Sequence, residues 1–285
     1  MSIEGIDRTS AAIFVGFDSA WADNPRVPGA ICSVVFDCDR FVDFRPPELV
    51  GFQQALGYIQ ALQRPDWPTL VALDQPTIVP NVSSMRPVEK AVASLISWMG
   101  GGVQPANRGK LAIFGPDAPI WVFLKGLMAR QNPEDARTAI RGLHLMEVFP
   151  ALALASLETR FFGRLTGPRY NPGRRQTFRI EDWQAVIAAV YAEANRFECK
   201  ALAGWLEKLR VLEKPKKSDQ DCLDATICLL IAIRWRLGKR DESVVLGDLS
   251  TGYMISPVSR PVMDRLSKEA NKCGVPVNAF VPGAD

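Results

Sequence analysis

The sequence predicts an α/β protein, and three observations carry that expectation. Two short runs, Ile13–Phe17 and Leu70–Leu73, are apolar on both faces, the pattern of central strands covered on each side. A stretch of helical spacing precedes the second run, so strand, helix and strand form a crossover unit that favours parallel pairing. Long helical periodicities then fill much of the remaining chain.

The elements follow in order. Ala11–Phe17 is an apolar, β-branched run that ends at Asp18, and Ala30–Phe36 is a second. Asp23-Asn24-Pro25 and Pro28-Gly29 supply the turn between them. Arg40–Phe44 follows through a tight turn at Cys38-Asp39, giving an antiparallel meander of three strands. Gly51–Leu62 places Phe52, Leu56, Ile59 and Leu62 at helical spacing, and Pro65 and Pro68 separate it from Thr69–Leu73, which stops at Asp74-Gln75-Pro76. Residues 79–142 read as a mostly helical insertion, with helices from Pro87 to Met99 and from Pro119 to Arg130. Leu143–Phe149 returns as a strand. Three long helices, about Ile180–Arg196, Cys199–Leu212 and Ser218–Leu237, lead to a small terminal hairpin over 243–255.

A chain of 285 residues, 47% hydrophobic and 23% charged, suits a single folded domain over 1–285, since an α/β sheet with insertions reaches that length. No signal-peptide pattern opens it and no run of about 18 apolar residues occurs, so a cytoplasmic location without a membrane partner is expected. Six cysteines without a C-x-x-C pair, and the single His144, argue against structural zinc and against histidine triads. Neither a P-loop, nor G-x-G-x-x-G, G-x-S-x-G or H-E-x-x-H is present.

Carboxylates stand where apolar elements end. If the strands ending at Asp18 and Asp74 are parallel neighbours, the two acids share one sheet edge about 4.8 Å apart, close enough for one cation with metal–oxygen distances of about 2.1 Å. Carboxyl ends of strands are also where open α/β sheets bind ligands. Ser218 looks like a helix cap and Asp221 like a first-turn acid, which accounts for Asp221 without any function. Asp224 differs: the residues after it, Ala225 to Ile233, are apolar all round, so its helix is buried. A buried carboxylate needs a cation, a guanidinium or a metal. Glu147 is a fourth candidate, in the strand Leu143–Phe149. His144 lies three positions earlier, on the opposite face, and is expected simply to pack.

Taken in order, Gly16-Phe17-Asp18, Asp74-Gln75-Pro76, Glu147-Val148-Phe149-Pro150 and Asp221-Cys222-Leu223-Asp224-Ala225 resemble the motifs of the domain-of-unknown-function 429 family, whose members are predicted nucleases with an RNase H-like fold. Arg86 lies where that family often has an arginine. The motifs span residues 16 to 225 and each is short; their ordered set carries the resemblance. The first hairpin departs from it: Trp21 precedes the Pro28-Gly29 turn, where Gly-Trp at the start of the second strand is expected. The resemblance implies an RNase H-like mixed five-stranded sheet in the order 3-2-1-4-5, with helices on both faces and carboxylates from the first strand, the fourth strand and the late helix converging on Mg²⁺ or Mn²⁺.

An oxygen-only ligand set suits these hard cations. Two ions about 3.5–4 Å apart would serve phosphodiester hydrolysis, with Asp18 bridging, Asp74 and Asp224 completing each side, and Glu147 or Asp221 as an outer ligand. Between Arg160 and Arg179 there are six arginines and no acid, so this stretch carries +6 in a chain of net charge +3. Arg169, Arg174 and Arg175 are expected to hold a nucleic-acid backbone, RNA or DNA, and Tyr170 or a nearby Phe to stack on a base. Lys216 and Lys217, with Lys214, form a second basic group, and Arg86 is placed with the nucleic-acid contacts. Two rivals remain: a non-catalytic nucleic-acid- or metal-binding scaffold with the same fold, and an ATP-dependent phosphotransferase, disfavoured because Ser19-Ala20-Trp21 and Gln75-Pro76-Thr77 offer no glycine to a phosphate loop.

Overall fold

The structure is a computed structural model that describes residues 11–280. Strands β1 (Ala12–Asp18), β2 (Gly29–Asp37) and β3 (Arg40–Val50) form the expected meander. Helix α1 (Phe52–Leu62) then crosses to β4 (Pro68–Asp74), which lies parallel to β1, and β5 (Gly142–Glu147) adds in parallel on the far side. The sheet order is β3-β2-β1-β4-β5, the mixed five-stranded order expected of an RNase H-like sheet.

β3 runs to Val50 rather than stopping near Phe44. Pro46 and Pro47 sit within it, which an edge strand tolerates because its outer amides have no partner to lose, and its pairing with β2 is irregular there. Between β4 and β5 lie α2 (Pro87–Trp98), α3 (Leu111–Phe114), α4 (Pro119–Leu127) and α5 (Pro133–Thr138). After β5 come α6 (Pro150–Leu157), α7 (Ile180–Arg196), α8 (Lys200–Arg210) and α9 (Lys217–Leu237). A two-stranded sheet of β6 (Ser243–Asp248) and β7 (Gly252–Pro257) follows, and α10 (Arg260–Cys273) packs against α2. α6 and α10 were not expected from the sequence.

Strand alternation divides the core. Ala12 and Phe14 of β1, with Leu70 and Ala72 of β4, face the layer of α6, α7, α8 and α9. Ile13, Val15 and Phe17, with Val71 and Leu73, face α1, α3 and α4. Continuing the period of two, Gly16, Asp18 and Asp74 all belong to the α9 face.

Gly16 sets how close α9 comes. A Cβ at this position would lie 2.1 Å from the Ala225 carbonyl oxygen and 2.4 Å from the Leu229 amide nitrogen, so only glycine lets the helix lie directly on β1. The far end of α9 is fixed against α5, where Trp235 Nε1 donates to the Pro133 carbonyl at 2.7 Å and Arg236 to the Ala139 carbonyl at 2.7 Å. Its first turns therefore overhang the carboxyl edge of the sheet. No helix among the described residues is long and apolar enough to cross a membrane.

Candidate functional site

At the carboxyl edge, Asp18 and Asp74 are direct partners in the parallel β1–β4 register. Two residues from the Gly16 crossing point in the strand, and one and four residues from Ala225 in the helix, Asp18, Asp224 and Asp221 come to the same place. All four aspartates line one cavity of about 510 Å³, walled on its apolar sides by Trp21, Val27, Val103, Phe149 and Met254.

The four are not equivalent. Asp224 is held on both oxygens: Tyr170 donates its hydroxyl to Oδ1 at 2.8 Å and Gln220 donates Nε2 to Oδ2 at 2.8 Å. Asp221 is paired to Lys217, one turn earlier on α9. The side-chain carboxylates of Asp18 and Asp74 accept no hydrogen bond among the described residues, and they stand beside each other and α9.

The electrostatics follow from that arrangement. Burial, reinforced by Asp224, Asp74 and Asp221, pushes the Asp18 carboxyl well above the usual carboxylate range, with Lys217 pulling the other way. Asp74 rises for the same reasons, burial first and then Asp224 and Glu147. Asp224 is pushed up to about 6 by burial, against the lowering effects of Lys217, Tyr170 and Gln220. Burial alone would lower the Lys217 ammonium, but Asp18, Asp221 and Asp224 hold it above its ordinary value. One half-exposed lysine is thus the counterion of four acids, and the cavity carries excess negative charge.

The loop after β1 is fixed by the residue after Asp74. Gln75, fully buried, accepts from the Ser19 hydroxyl and donates Nε2 to the Trp21 carbonyl at 3.3 Å. Trp21 itself adopts a left-handed backbone (φ 45°) and packs edge-on against Phe114, which is how the hairpin accommodates tryptophan ahead of Pro28-Gly29.

Several expectations need correction. Arg86 is not a surface contact for nucleic acid: it is fully buried, with NH1 and NH2 on the two oxygens of Glu147 at 3.0 and 2.5 Å and Nε on Glu89 at 2.9 Å. Glu147 pairs with Leu73 in the sheet, one position short of Asp74, and lines the same cavity as the aspartates. Both its oxygens are taken by Arg86 and one also accepts the Thr77 amide at 3.0 Å, which leaves it a positioning role rather than a free ligand. Tyr170 does not offer a free ring; it is buried, with its hydroxyl on Asp224. Ser218 is not the cap of α9. The helix begins one residue earlier, with Lys216 as N-cap, and Asp219 reaches back to the Lys216 amide at 2.6 Å. Asp221 therefore lies beyond the first turn, as the partner of Lys217. His144 is buried and packed, and burial lowers its pKa.

The basic segment is an exposed, irregular connection between α6 and α7. Arg169 and Arg174 line a second cavity of about 310 Å³, whereas Arg175 and Lys216 are exposed and line neither cavity. Sequence reasoning overlooked Gln220, which touches Asp224, and Gln75. The i, i+4 spacing of Gln220 and Asp224 on a buried helix was the available signal for the first.

Among the described residues no group of three or more His, Cys, Asp or Glu side chains is already drawn together as a metal-binding set. The donor set nevertheless suits a hard cation: it is all oxygen, two of its carboxylates lack any protein donor, and its charge is under-compensated. Each Asp224 oxygen accepts one donor and keeps a further lone pair that a cation could take.

No curated protein and no solved structure matches the chain. The family described as protein of unknown function (DUF429) matches over residues 5–248, most of the length, and the chain belongs to that family.

Proposed function

We propose that the protein is a divalent-metal-dependent nuclease that hydrolyses phosphodiester bonds. The observation that carries this is the pairing of Asp18 with Asp74 in register on adjacent parallel strands, without protein donors, beneath Asp224 on a buried helix. Carboxylates so crowded repel one another, and a cation between them relieves both that repulsion and their desolvation.

Asp18, Asp74 and Asp224 would hold Mg²⁺ or Mn²⁺, with Asp221 as an outer acceptor. The bound metal supplies Lewis acidity toward a water and toward the phosphoryl and leaving oxygens. In the hydrolysis the water oxygen would bond to phosphorus as the ester P–O bond breaks, and the proton given up by the water would pass, directly or through solvent, to the leaving oxygen. The chain's own groups orient this chemistry. Tyr170 and Gln220 fix the rotamer of Asp224, Gln75 holds the loop beside Asp18, and the apolar walls limit the access of bulk water. Lys217, half-exposed at the cavity, is placed to meet a phosphate oxygen once a cation takes over its partners. Arg169 and Arg174 offer the backbone further positive charge. The six cysteines, all unpaired, suit the reducing cytoplasm in which this reading places the protein.

The test is direct. Wild-type protein with Mn²⁺ is expected to cleave a labelled oligonucleotide, DNA or RNA, and to stop when the metal is chelated; Asp74→Asn is expected to be inactive yet folded. Binding of nucleic acid without cleavage under any metal would favour the scaffold reading instead.

A further inference from the structure

The carboxylate cavity does not end at the carboxylates. It shares Gly102, Phe149, Ala151, Tyr170 and Gln220 with the second cavity, so the two adjoin along the wall that carries these residues. The far part has a wall of low relief: Gly100, Gly101 and Gly102 lie beside Gly167-Pro168, where the Gly167 amide donates to the Met99 carbonyl at 2.8 Å. Gly100 has φ 91°, a conformation that side-chain-bearing residues rarely take, so the bare wall there is built into the backbone. Arg169 and Arg174 line the same part and form no ion pair among the described residues. The acids at the other end are recessed, Asp221 and Asp224 being only 7% exposed.

We propose that the two adjoining cavities form one trough, the path of a single nucleic-acid strand, with the scissile phosphate at Asp18 and Asp74 and a neighbouring backbone phosphate at Arg169 and Arg174. This deepens the nuclease reading and rests on it. Volumes of about 510 and 310 Å³ are those of sites that enclose small ligands. Each part of the trough therefore suits a nucleotide-sized unit. A duplex keeps its bases stacked inside two backbones, and reaching a recessed site demands that a nucleotide be unstacked first. A lone strand bends freely, and arginines beside apolar walls are the means by which proteins hold one without reading its sequence. The placement also divides neighbouring arginines. Arg174 belongs to the path, while Arg175, the next residue and equally exposed, does not.

The experiment uses the full chain with a labelled single-stranded oligonucleotide, its blunt duplex, and the duplex with a single-stranded tail. Binding is read by anisotropy in chelator, over a salt series, and cleavage separately in Mn²⁺. The single strand and the tail are expected to be bound and cut about tenfold or more in preference to the blunt duplex. Arg174→Ala is expected to flatten the salt dependence of single-strand binding by about 0.7, one phosphate contact, while Arg175→Ala leaves it at the wild-type slope. Equal or better cleavage of the blunt duplex, or equal effects of the two arginine variants, would overturn the path while leaving a nuclease standing. Single-strand binding that depends on Arg174 with no cleavage of any substrate would uphold the path and remove the hydrolytic reading. Absence of both binding and cleavage would overturn the two together.

Discussion

Replacing Asp224 with asparagine in the metal-free protein should raise its stability at neutral pH. The Asp224 carboxyl is pushed up to about 6, mainly by burial. In an unfolded chain it would titrate near 4. A folded value raised by two units means that the folded state binds this proton more tightly, so its contribution is fully favourable below about pH 4 and is lost as pH rises through about 6. Above pH 7 the ionised group then costs about 3 kcal/mol. Asparagine mimics the protonated acid and fits the same partners. Its oxygen accepts from the Tyr170 hydroxyl, and its amide can donate to Gln220 Oε1, a buried atom without a partner, once the Gln220 amide turns over. At roughly 2–4 °C per kcal/mol for a chain of this size or slightly smaller, melting at pH 7.5 in chelator should rise by roughly 6–12 °C. At pH 4 the two proteins should melt together. A variant that melts at or below wild type at pH 7.5, or that gains as much at pH 4, would refute the picture of an under-compensated carboxylate cluster.

Two further outcomes follow from the packing and the buried charges. Gly16→Ala should destabilise the fold by about 1–3 kcal/mol or more, because its methyl group meets the α9 backbone and must lift the helix; thermal melts and Mn²⁺ titration should both register the loss, and wild-type behaviour in both would deny the close approach. Arg86→Met leaves Glu147 and Glu89 buried without their shared cation and should cost about 3–5 kcal/mol. Read as the urea midpoint, that loss should be larger at pH 8 than at pH 5, since the stranded acids can take up protons at the lower pH; a midpoint insensitive to pH would count against it.

Much of this architecture was legible because the strongest signals are also the physical causes. β1 and β4 are apolar on both faces because both are covered, and each stops at an aspartate because the carboxylate lies beyond the covered zone. Asp224 was conspicuous as an acid on a helix apolar all round. α6 and α10 were harder to see: α6 is short and enters directly from the β5 strand through Pro150, while α10 is largely polar and shows only Val262, Leu266 and Ala270 to the core. Arg86, Glu147 and Tyr170 were misread for one reason. An arginine, a glutamate or a tyrosine in a sequence announces its chemistry but not its partner. Arg86 meets Glu147 across 61 positions and Tyr170 meets Asp224 across 54, so only the folded chain shows that each is already engaged.

The most direct test of the central claim is calorimetric titration of Mn²⁺ into the metal-free chain at pH 7.5. The Asp18–Asp74 pair under α9 should bind at least one ion in the wild type. Asp18→Asn should abolish that binding while its thermal melt in chelator stays at or above the wild-type value, since removing one of the repelling charges leaves the fold intact. A wild-type protein that takes up no Mn²⁺, or an Asp18→Asn variant that binds it unchanged, would contradict the metal site and with it the proposed chemistry.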